Sequence, residues 1–263
     1  MKSYLSLVKI RFQSLLQYRL AALAGFATQI FWGFIRLMIF QAFYASAHHP
    51  MPMSVSDTVT YIWLGQAFLL LVPWNMDKEM MSVIRTGNVA YELLRPLDCY
   101  WYWFAKAIAF RTAPVALRAI PLFILAVPFF GMGLPPDIAS LGGFFITLLF
   151  AVILSSAMTV LINNSLFWTI SGEGIYRLLP SFMMILSGLI IPLPLFPEWL
   201  QFLIKILPFR GIIDSPFRFY LGQLQIIDLP GILIHQLIWT IVIIAAGRVL
   251  LFRGLKKITI QGG

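Results

Sequence analysis

The residues from Ile138 to Gly172 include no charged side chain. A helix needs about 20 consecutive apolar residues to cross the hydrocarbon core of a bilayer, so this stretch is long enough to span a membrane. The rest of the chain has a similar character, because only 11% of its 263 residues are charged and 60% are hydrophobic. Soluble domains carry about 25% charged residues. The sequence therefore predicts an all-α integral membrane protein.

Six stretches with few or no charges have the length of a spanning helix. We expect six transmembrane helices at residues 20–45, 58–76, 112–131, 140–166, 178–196 and 229–247. Preceded by an N-terminal segment at residues 1–19, they are predicted to form a single domain over residues 1–263. We see no internal repeat of the kind that divides transporters into two similar halves.

The basic residues are distributed unevenly between the two sides of these predicted spans. With a cytoplasmic N-terminus, 14 of the 19 Lys and Arg residues fall on the cytoplasmic side, three fall outside, and Arg36 and Arg118 lie within spans. This bias predicts that both termini are cytoplasmic. The net charge of +9 does not indicate nucleic-acid binding, because the basic residues flank apolar segments instead of forming one patch.

The N-terminal segment has the pattern of an amphipathic helix. Its apolar side chains recur at helical spacing, and most of its basic residues fall between them. Such a helix lies in the membrane interface with its apolar face in the bilayer. We therefore predict an interfacial helix over residues 1–19. The alternative is a plain topological anchor.

A polar island, Ile84–Asp98 with the sequence "IRTGNVAYELLRPLD", interrupts the apolar chain on the cytoplasmic side. Gly87 permits a tight turn, and Pro96 ends the helical pattern that follows it. Two short amphipathic helices are predicted, and their apolar residues need a surface to dock on: Val83, Ile84, Val89, Leu93 and Leu94. The alternative is a solvated loop, although the roughly 30 residues from Asp77 to Lys106 exceed what a connection between spans requires.

The segment between the fifth and sixth predicted spans is broken by prolines. Pro192, Pro194 and Pro197 end the fifth helix, and Glu198–Leu207 is too short to cross a membrane. We predict short re-entrant or interfacial helices on the outer side, and the alternative is a surface loop. Arg36 and Arg118 are intramembrane charges, which either extend toward an interface or have a functional role.

Motifs for chemistry are absent. The sequence has no G-x-x-x-x-G-K-[ST] phosphate-binding loop, no H-E-x-x-H and no G-x-S-x-G. We predict that the chain is not an enzyme and itself binds no metal or cofactor. Two other classes remain open: a channel or secondary carrier that is not coupled to ATP, and a membrane-embedded enzyme that modifies lipid. Neither inverted repeats nor a convergent set of polar residues favours them.

Three motifs carry a resemblance to a known family. They are "RTGNVAYELLRPLD" (Arg85–Asp98), "LSGLIIPLPLFPEWL" (Leu186–Leu200) and the pair "LPF" and "SPFRFYLGQ" within Leu207–Gln223. With six predicted spans and a cytoplasmic island, the chain resembles the permease subunit of an ABC-2 type ABC transporter, in the subfamily of roughly 260 residues. The resemblance covers essentially the whole chain.

The resemblance implies an exporter permease that moves a hydrophobic or amphipathic substrate across the bacterial cytoplasmic membrane by alternating access. It implies two ABC ATPase subunits that bind ATP and Mg²⁺, together with a second permease, identical or a sister chain, that meets the first and fifth spans. The island then becomes a coupling helix, and the residues implied to contact the ATPase are Met80, Met81, Ile84, Arg85, Gly87, Glu92, Leu93, Arg95, Glu173 and Arg177. The implied translocation path or outer gate includes Pro192, Pro194, Trp199 and Phe209.

Overall fold

The computed structural model describes residues 2–73, 77–168 and 173–256, with the backbone alone for residues 19 and 173–177. Within these ranges the chain forms eleven α-helices and no strand, so the predicted all-α fold is confirmed. The helices are α1 Lys2–Leu16, α2 Arg19–Ala45, α3 Val55–Ala67, α4 Lys78–Arg85, α5 Val89–Leu93, α6 Cys99–Phe129, α7 Ile138–Asn164, α8 Glu173–Leu186, α9 Glu198–Ile206, α10 Asp214–Tyr220 and α11 Leu229–Leu255.

Four of the described helices are long and apolar enough to cross a membrane. They correspond to Leu20–Ala45, Cys99–Phe129, Ile138–Phe167 and Ile226–Leu255. Helices α3 and α8 overlap the second and fifth predicted spans only in part and have only 13 and 14 residues, so the count of six spans stays a prediction. At 1.5 Å per residue each is about 20 Å long, whereas the hydrocarbon core is about 30 Å thick.

Helix α3 ends before the predicted end of the second span, and side chains of neighbouring helices bond the freed backbone carbonyl groups. It ends at Ala67, and a 3₁₀ turn follows. The guanidinium of Arg111 donates to the carbonyl oxygens of Leu70 and Val72, each at 3.3 Å, and to the hydroxyl of Thr159 at 2.9 Å. A break in a helix within an apolar bundle is tolerated where such groups replace the lost backbone hydrogen bonds.

Helix α6 begins well before the predicted start of the third span at residue 112. Asp98 caps it by accepting a hydrogen bond from the backbone N–H of Trp101 at 3.0 Å. Lys106 and Arg111 are therefore buried parts of this helix, whereas a third span that starts at residue 112 leaves both residues outside it. At about 1.5 Å per residue α6 is roughly 46 Å long, so it extends beyond the hydrocarbon core.

Small residues and amide side chains allow the long helices to approach closely. A Cβ atom on Gly254 of α11 would lie 2.6 Å from the ring of Phe167. The side-chain amide of Gln236 in α11 donates to the carbonyl oxygens of Thr147, at 3.0 Å, and Gly211, at 2.7 Å. Close backbone approach and hydrogen bonds between helices are the usual means of association in membrane bundles.

Helix α1 packs along α6 with none of its residues buried. The phenol of Tyr4 accepts a hydrogen bond from the backbone N–H of Asp98 at 3.1 Å. At the far end of the chain, Arg248 pairs with the carboxylate of Asp98 at 3.1 Å. The polar island and the N-terminal helix therefore share one end of the bundle, while α9 and α10 connect α8 to α11.

Candidate functional site

The polar island and the residues that lead into it form helices α4 and α5, separated by a turn at Gly87. From here on, the island means residues 77–98. The carboxylate of Asp77 caps α4 by accepting the backbone N–H of Glu79 at 3.0 Å. Gly87 has a φ of +72°, a left-handed conformation that glycine adopts without a steric cost. The two predicted amphipathic pieces are thus present, and their placement determines which faces remain available.

One face of the island is buried against its own chain. Met80 and Val89 are fully buried and Ile84 is 9% exposed, while Met81 is partly buried against the core. The side-chain amide of Asn163 in α7 approaches the Met80 sulfur at 3.3 Å. The bundle itself therefore supplies the apolar surface that Ile84 and Val89 were expected to need, whereas contact of the island with an ATPase stays a prediction.

Glu79 connects the island to two other helices. Its carboxylate accepts from the Lys106 ammonium of α6 at 2.7 Å and pairs with the guanidinium of Arg11 in α1. The Lys106 side chain is 3% exposed, so this cation depends on Glu79 for neutralisation. Partial burial acts to raise the pKa of Glu79, but Lys106 and Arg11 together lower it below its usual value.

Glu92 and Arg95 are also engaged with α6. Glu92 is 8% exposed and accepts a hydrogen bond from the indole N–H of Trp103. The guanidinium of Arg95 lies 4.8 Å from the centre of the Tyr102 ring, within the range of a cation–π contact. Buried Met80, Ile84 and Glu92 therefore present no surface to a partner in this conformation.

The opposite side of the island is an exposed rim. Tyr91 is 72% exposed, Leu93 49% and Leu94 81%, and the side chains of Arg85 and Arg95 are exposed beside them. We call these five residues the exposed rim. It combines three large apolar side chains with two cations on a scaffold that is fixed to the bundle on its other face.

The remaining predicted contact and gate residues are dispersed. The side chains of Glu173 and Arg177 lie outside the described residues. Trp199 is 68% exposed on α9, and Phe209 packs partly against the core. Pro192 and Pro194 lie in the segment after α8, so the four residues of the predicted path come from three separate local environments.

The two arginines that the sequence places within spans both lie against other parts of the chain. Arg36 in α2 uses its Nη2 atom to donate to the carbonyl oxygens of Leu189, at 2.5 Å, and Ile190, at 2.7 Å. These carbonyl groups follow the C-terminus of α8, where the helix dipole stabilises a positive charge. Arg118 in α6 packs against Gly25, where a Cβ atom would lie only 2.3 Å from the guanidinium carbon.

Glu79, Lys106 and Trp103 form the connection between the island and α6, and we did not single them out as site residues. The cap at Asp77, with an acidic residue two positions later, is a visible helix-start pattern. The pairing of Glu79 with Lys106 leaves no such signal, because the two residues are separated by 27 positions and the partner was assigned to a loop.

A helical bundle with four membrane-length helices and a polar island at one end defines a multi-pass membrane protein. A family model described as ABC-2 family transporter protein matches residues 30–262. The chain therefore belongs to the ABC-2 transporter family, as the sequence motifs indicated. The comparison with curated proteins gave no significant match. The comparison with solved structures gave none either.

Proposed function

We propose that this chain is the permease subunit of an ATP-driven ABC exporter and that the exposed rim docks on a separate ATPase subunit. The observation that supports this most is the two-sided island: one face is buried on the bundle, while Tyr91, Leu93 and Leu94 are exposed at its other side. Exposed apolar patches mark sites of interaction with another protein or with a membrane. Membership in the ABC-2 family favours an ABC ATPase as the partner.

The contacts of the island supply a route for mechanical coupling. A displacement of α4 acts on α6 through Glu79 and Lys106, on α1 through Arg11, and on α7 through Met80. Closure of the ATPase subunits on ATP would thus be transmitted to three helices at once. Because the sequence has no phosphate-binding loop of its own, ATP and Mg²⁺ are assigned to the partner.

The complete proposed assembly contains two permeases and two ATPase subunits. Each permease has six spans, with α3 and α8 completing the second and fifth crossings together with adjoining residues. Both termini and the island face the cytoplasm of a bacterium, and α9 and α10 form the outer re-entrant segment. The permeases meet through α2 and α8 and rock apart on the outer side, which releases a hydrophobic or amphipathic substrate by alternating access.

Affinity purification tests the docking assignment. Tagged wild-type chain, extracted from its native membrane, is expected to retain an ATPase that mass spectrometry identifies by its phosphate-binding loop. Leu94→Glu is expected to lose that subunit, because it places a carboxylate at the most exposed apolar residue of the rim. Leu134→Glu is the matched control: Leu134 is 70% exposed and lies between α6 and α7, at the opposite end of α6 from the island.

The result that contradicts the proposal is equal recovery of the ATPase with Leu94→Glu and wild type. Equal loss with both variants would also count against it, because the effect would then not depend on the rim. Gel filtration of each variant in detergent establishes that the permease itself is folded before recovery is compared.

A further inference from the structure

A cavity lies between α2, α3 and the segment that follows α8. Its volume is about 700 Å³, and most of its lining is apolar, including Trp32 and Phe40 of α2 and Leu195 after α8. Pockets of 300–1,000 Å³ with apolar walls and a few polar groups are typical of small-molecule sites. Three large polar side chains line this one: Gln29, Arg36 and Gln66.

Gln29 is a buried polar group without a partner. It is 2% exposed, and neither atom of its side-chain amide has a hydrogen-bond partner within the described ranges. Leaving buried donors and acceptors unsatisfied is costly, and most such groups in proteins are bonded. A side chain in this state at a cavity wall indicates that a polar group of an occupant completes its hydrogen bonding.

Arg36 lies seven residues after Gln29, on the same face of α2. Its Nη2 atom donates hydrogen bonds to the carbonyl oxygens of Leu189 and Ile190. Among the described side chains, no carboxylate lies within 4 Å of the guanidinium. A guanidinium in apolar surroundings needs a counter-charge. At 1.5 Å per residue, the two polar groups are about 10 Å apart along the helix.

Contacts with helices α2, α3 and α8 of a second copy would not supply that counter-charge. Helix α2 contains no acidic residue, Asp57 in the first turn is the acidic residue of α3, and Glu173 begins α8. An isologous contact through α2 and α8 brings the same residues from both copies. It would therefore place a second guanidinium near the cavity without a carboxylate at the depth of Arg36.

We propose that this cavity binds an anionic amphipath, with the acidic group at Arg36, the apolar body against Trp32 and Phe40, and a polar group of the body at Gln29. The assignment deepens the proposed function, since an occupant of a permease cavity is either cargo or bilayer lipid. The chemistry is the same for both sources: one anionic group on an apolar body.

Quenching of Trp32 fluorescence measures this binding directly. Dibromostearate is the anionic probe, and its alcohol is the neutral probe with the same brominated chain. Purified wild-type chain and Trp32→Phe are titrated with each probe in detergent at neutral pH, and their difference isolates the Trp32 signal. We expect saturable quenching by the acid. The affinity for the alcohol should be weaker by roughly tenfold, because hydrogen bonds to charged groups are the stronger ones.

Two arginine variants separate the site from general charge effects. Arg36→Gln is expected to abolish the preference for the acid over the alcohol. Arg118→Gln removes the same charge from α6 outside the cavity lining and is expected to keep the preference. Arg36→Lys retains a cation and a donor for the α8 carbonyls, so it should keep most of the preference. If Arg36→Gln does not fold, the comparison of the two probes on wild type still decides.

Bilayer lipid and free cargo are distinguished in nanodiscs. Quenching of Trp32 by brominated phosphatidylglycerol and not by brominated phosphatidylcholine identifies an anionic lipid as the occupant. Quenching by dibromostearate alone identifies a free amphipath. Absence of Trp32 quenching by every probe, or equal affinity for acid and alcohol, overturns the proposal. Because the assay contains no ATPase, such a failure leaves the permease assignment to be judged separately by the rim variants.

Discussion

The pair formed by Glu79 and Lys106 provides a quantitative test of how the island is fixed to the bundle. Its atoms are 2.7 Å apart, and the two side chains differ in environment: Lys106 is 3% exposed and Glu79 is 47% exposed. Glu79→Gln keeps the shape and one acceptor oxygen but removes the negative charge. It therefore leaves a buried ammonium without an ionic partner.

The expected cost lies between the values for buried and exposed pairs. Removing one partner of a fully buried pair costs about 3–5 kcal/mol, whereas exposed pairs contribute about 0.2–1 kcal/mol. With Glu79 half in solvent and an acceptor retained, we expect a loss of about 2 kcal/mol for Glu79→Gln. Lys106→Met is expected to cost less, about 1 kcal/mol, because the carboxylate that remains is hydrated.

A double-mutant cycle measures the interaction. Unfolding free energies of wild type, both single variants and the double variant are measured in mixed micelles by titration with a denaturing detergent. We expect the double variant to lose less unfolding free energy than the two single variants lose together, by about 1–2 kcal/mol. The reason is that the double variant has no unpaired buried charge. A coupling energy within about 0.3 kcal/mol of zero would refute the inference that this pair anchors α4.

The same pair predicts a pH dependence. Because the pKa of Glu79 is lower in the folded chain than its usual 4.5, its stabilising contribution is complete above that value. It is lost as the pH falls below 4.5 through the folded pKa. The protection of the α4 amides from hydrogen exchange, measured relative to their intrinsic exchange rates at each pH, should decrease over this range in wild type. Glu79→Gln should flatten the change. If Glu79→Gln shows the same pH dependence as wild type, Glu79 is excluded as its cause.

Three further predictions follow from buried groups. Gly143→Ala should destabilise the fold by about 1–3 kcal/mol, because its Cβ would lie 2.4 Å from the Phe219 ring, whereas Gly142→Ala has open space and should be neutral or stabilising in the same thermal assay. Burial raises the pKa of Asp214 to about 6, so stability should fall by up to about 3 kcal/mol as the pH rises from 3.8 to 6, and Asp214→Asn should lose this dependence. Arg111→Leu should cost about 2–4 kcal/mol by leaving buried acceptors unpaired, and a cost below 1 kcal/mol would exclude that role for the guanidinium.

The long helices were predictable because their signal is local. An uncharged run such as Ile138–Gly172 leaves a helix as the one way to satisfy the backbone in lipid, and α7 occupies most of it. The island was predictable for a similar reason: Gly87 and Pro96 mark its turn and end. Its existence and its two-helix form both follow from residues that are close together in the chain.

The errors have a different origin. The early end of α3 depends on Arg111, which is about 40 residues away along the chain and supplies hydrogen bonds to the freed carbonyls. The starting point of α6 was missed because Lys106 was counted as a solvated charge, although Glu79 neutralises it. A charge buried beside a partner that is distant in sequence resembles a loop charge in any local pattern.

The distinction between the two faces of the island also required the structure. Sequence alone grouped Ile84 and Val89 with Leu93 and Leu94 as apolar residues in need of a partner. The first two are covered by the bundle and the last two are exposed. This division moves the proposed docking contact from the whole island to the five residues of the exposed rim.

Site-specific crosslinking from the rim tests whether the exposed rim docks on an ATPase subunit. A photo-crosslinking residue is placed at Leu94 and, as a control, at Phe202 of α9, which is 66% exposed in the segment assigned to the outer side. After illumination of native membranes, we expect a covalent adduct between position 94 and a subunit with a phosphate-binding loop, and none from position 202. Absence of that adduct from position 94, or an equal yield from position 202, would show that the rim is not the docking surface.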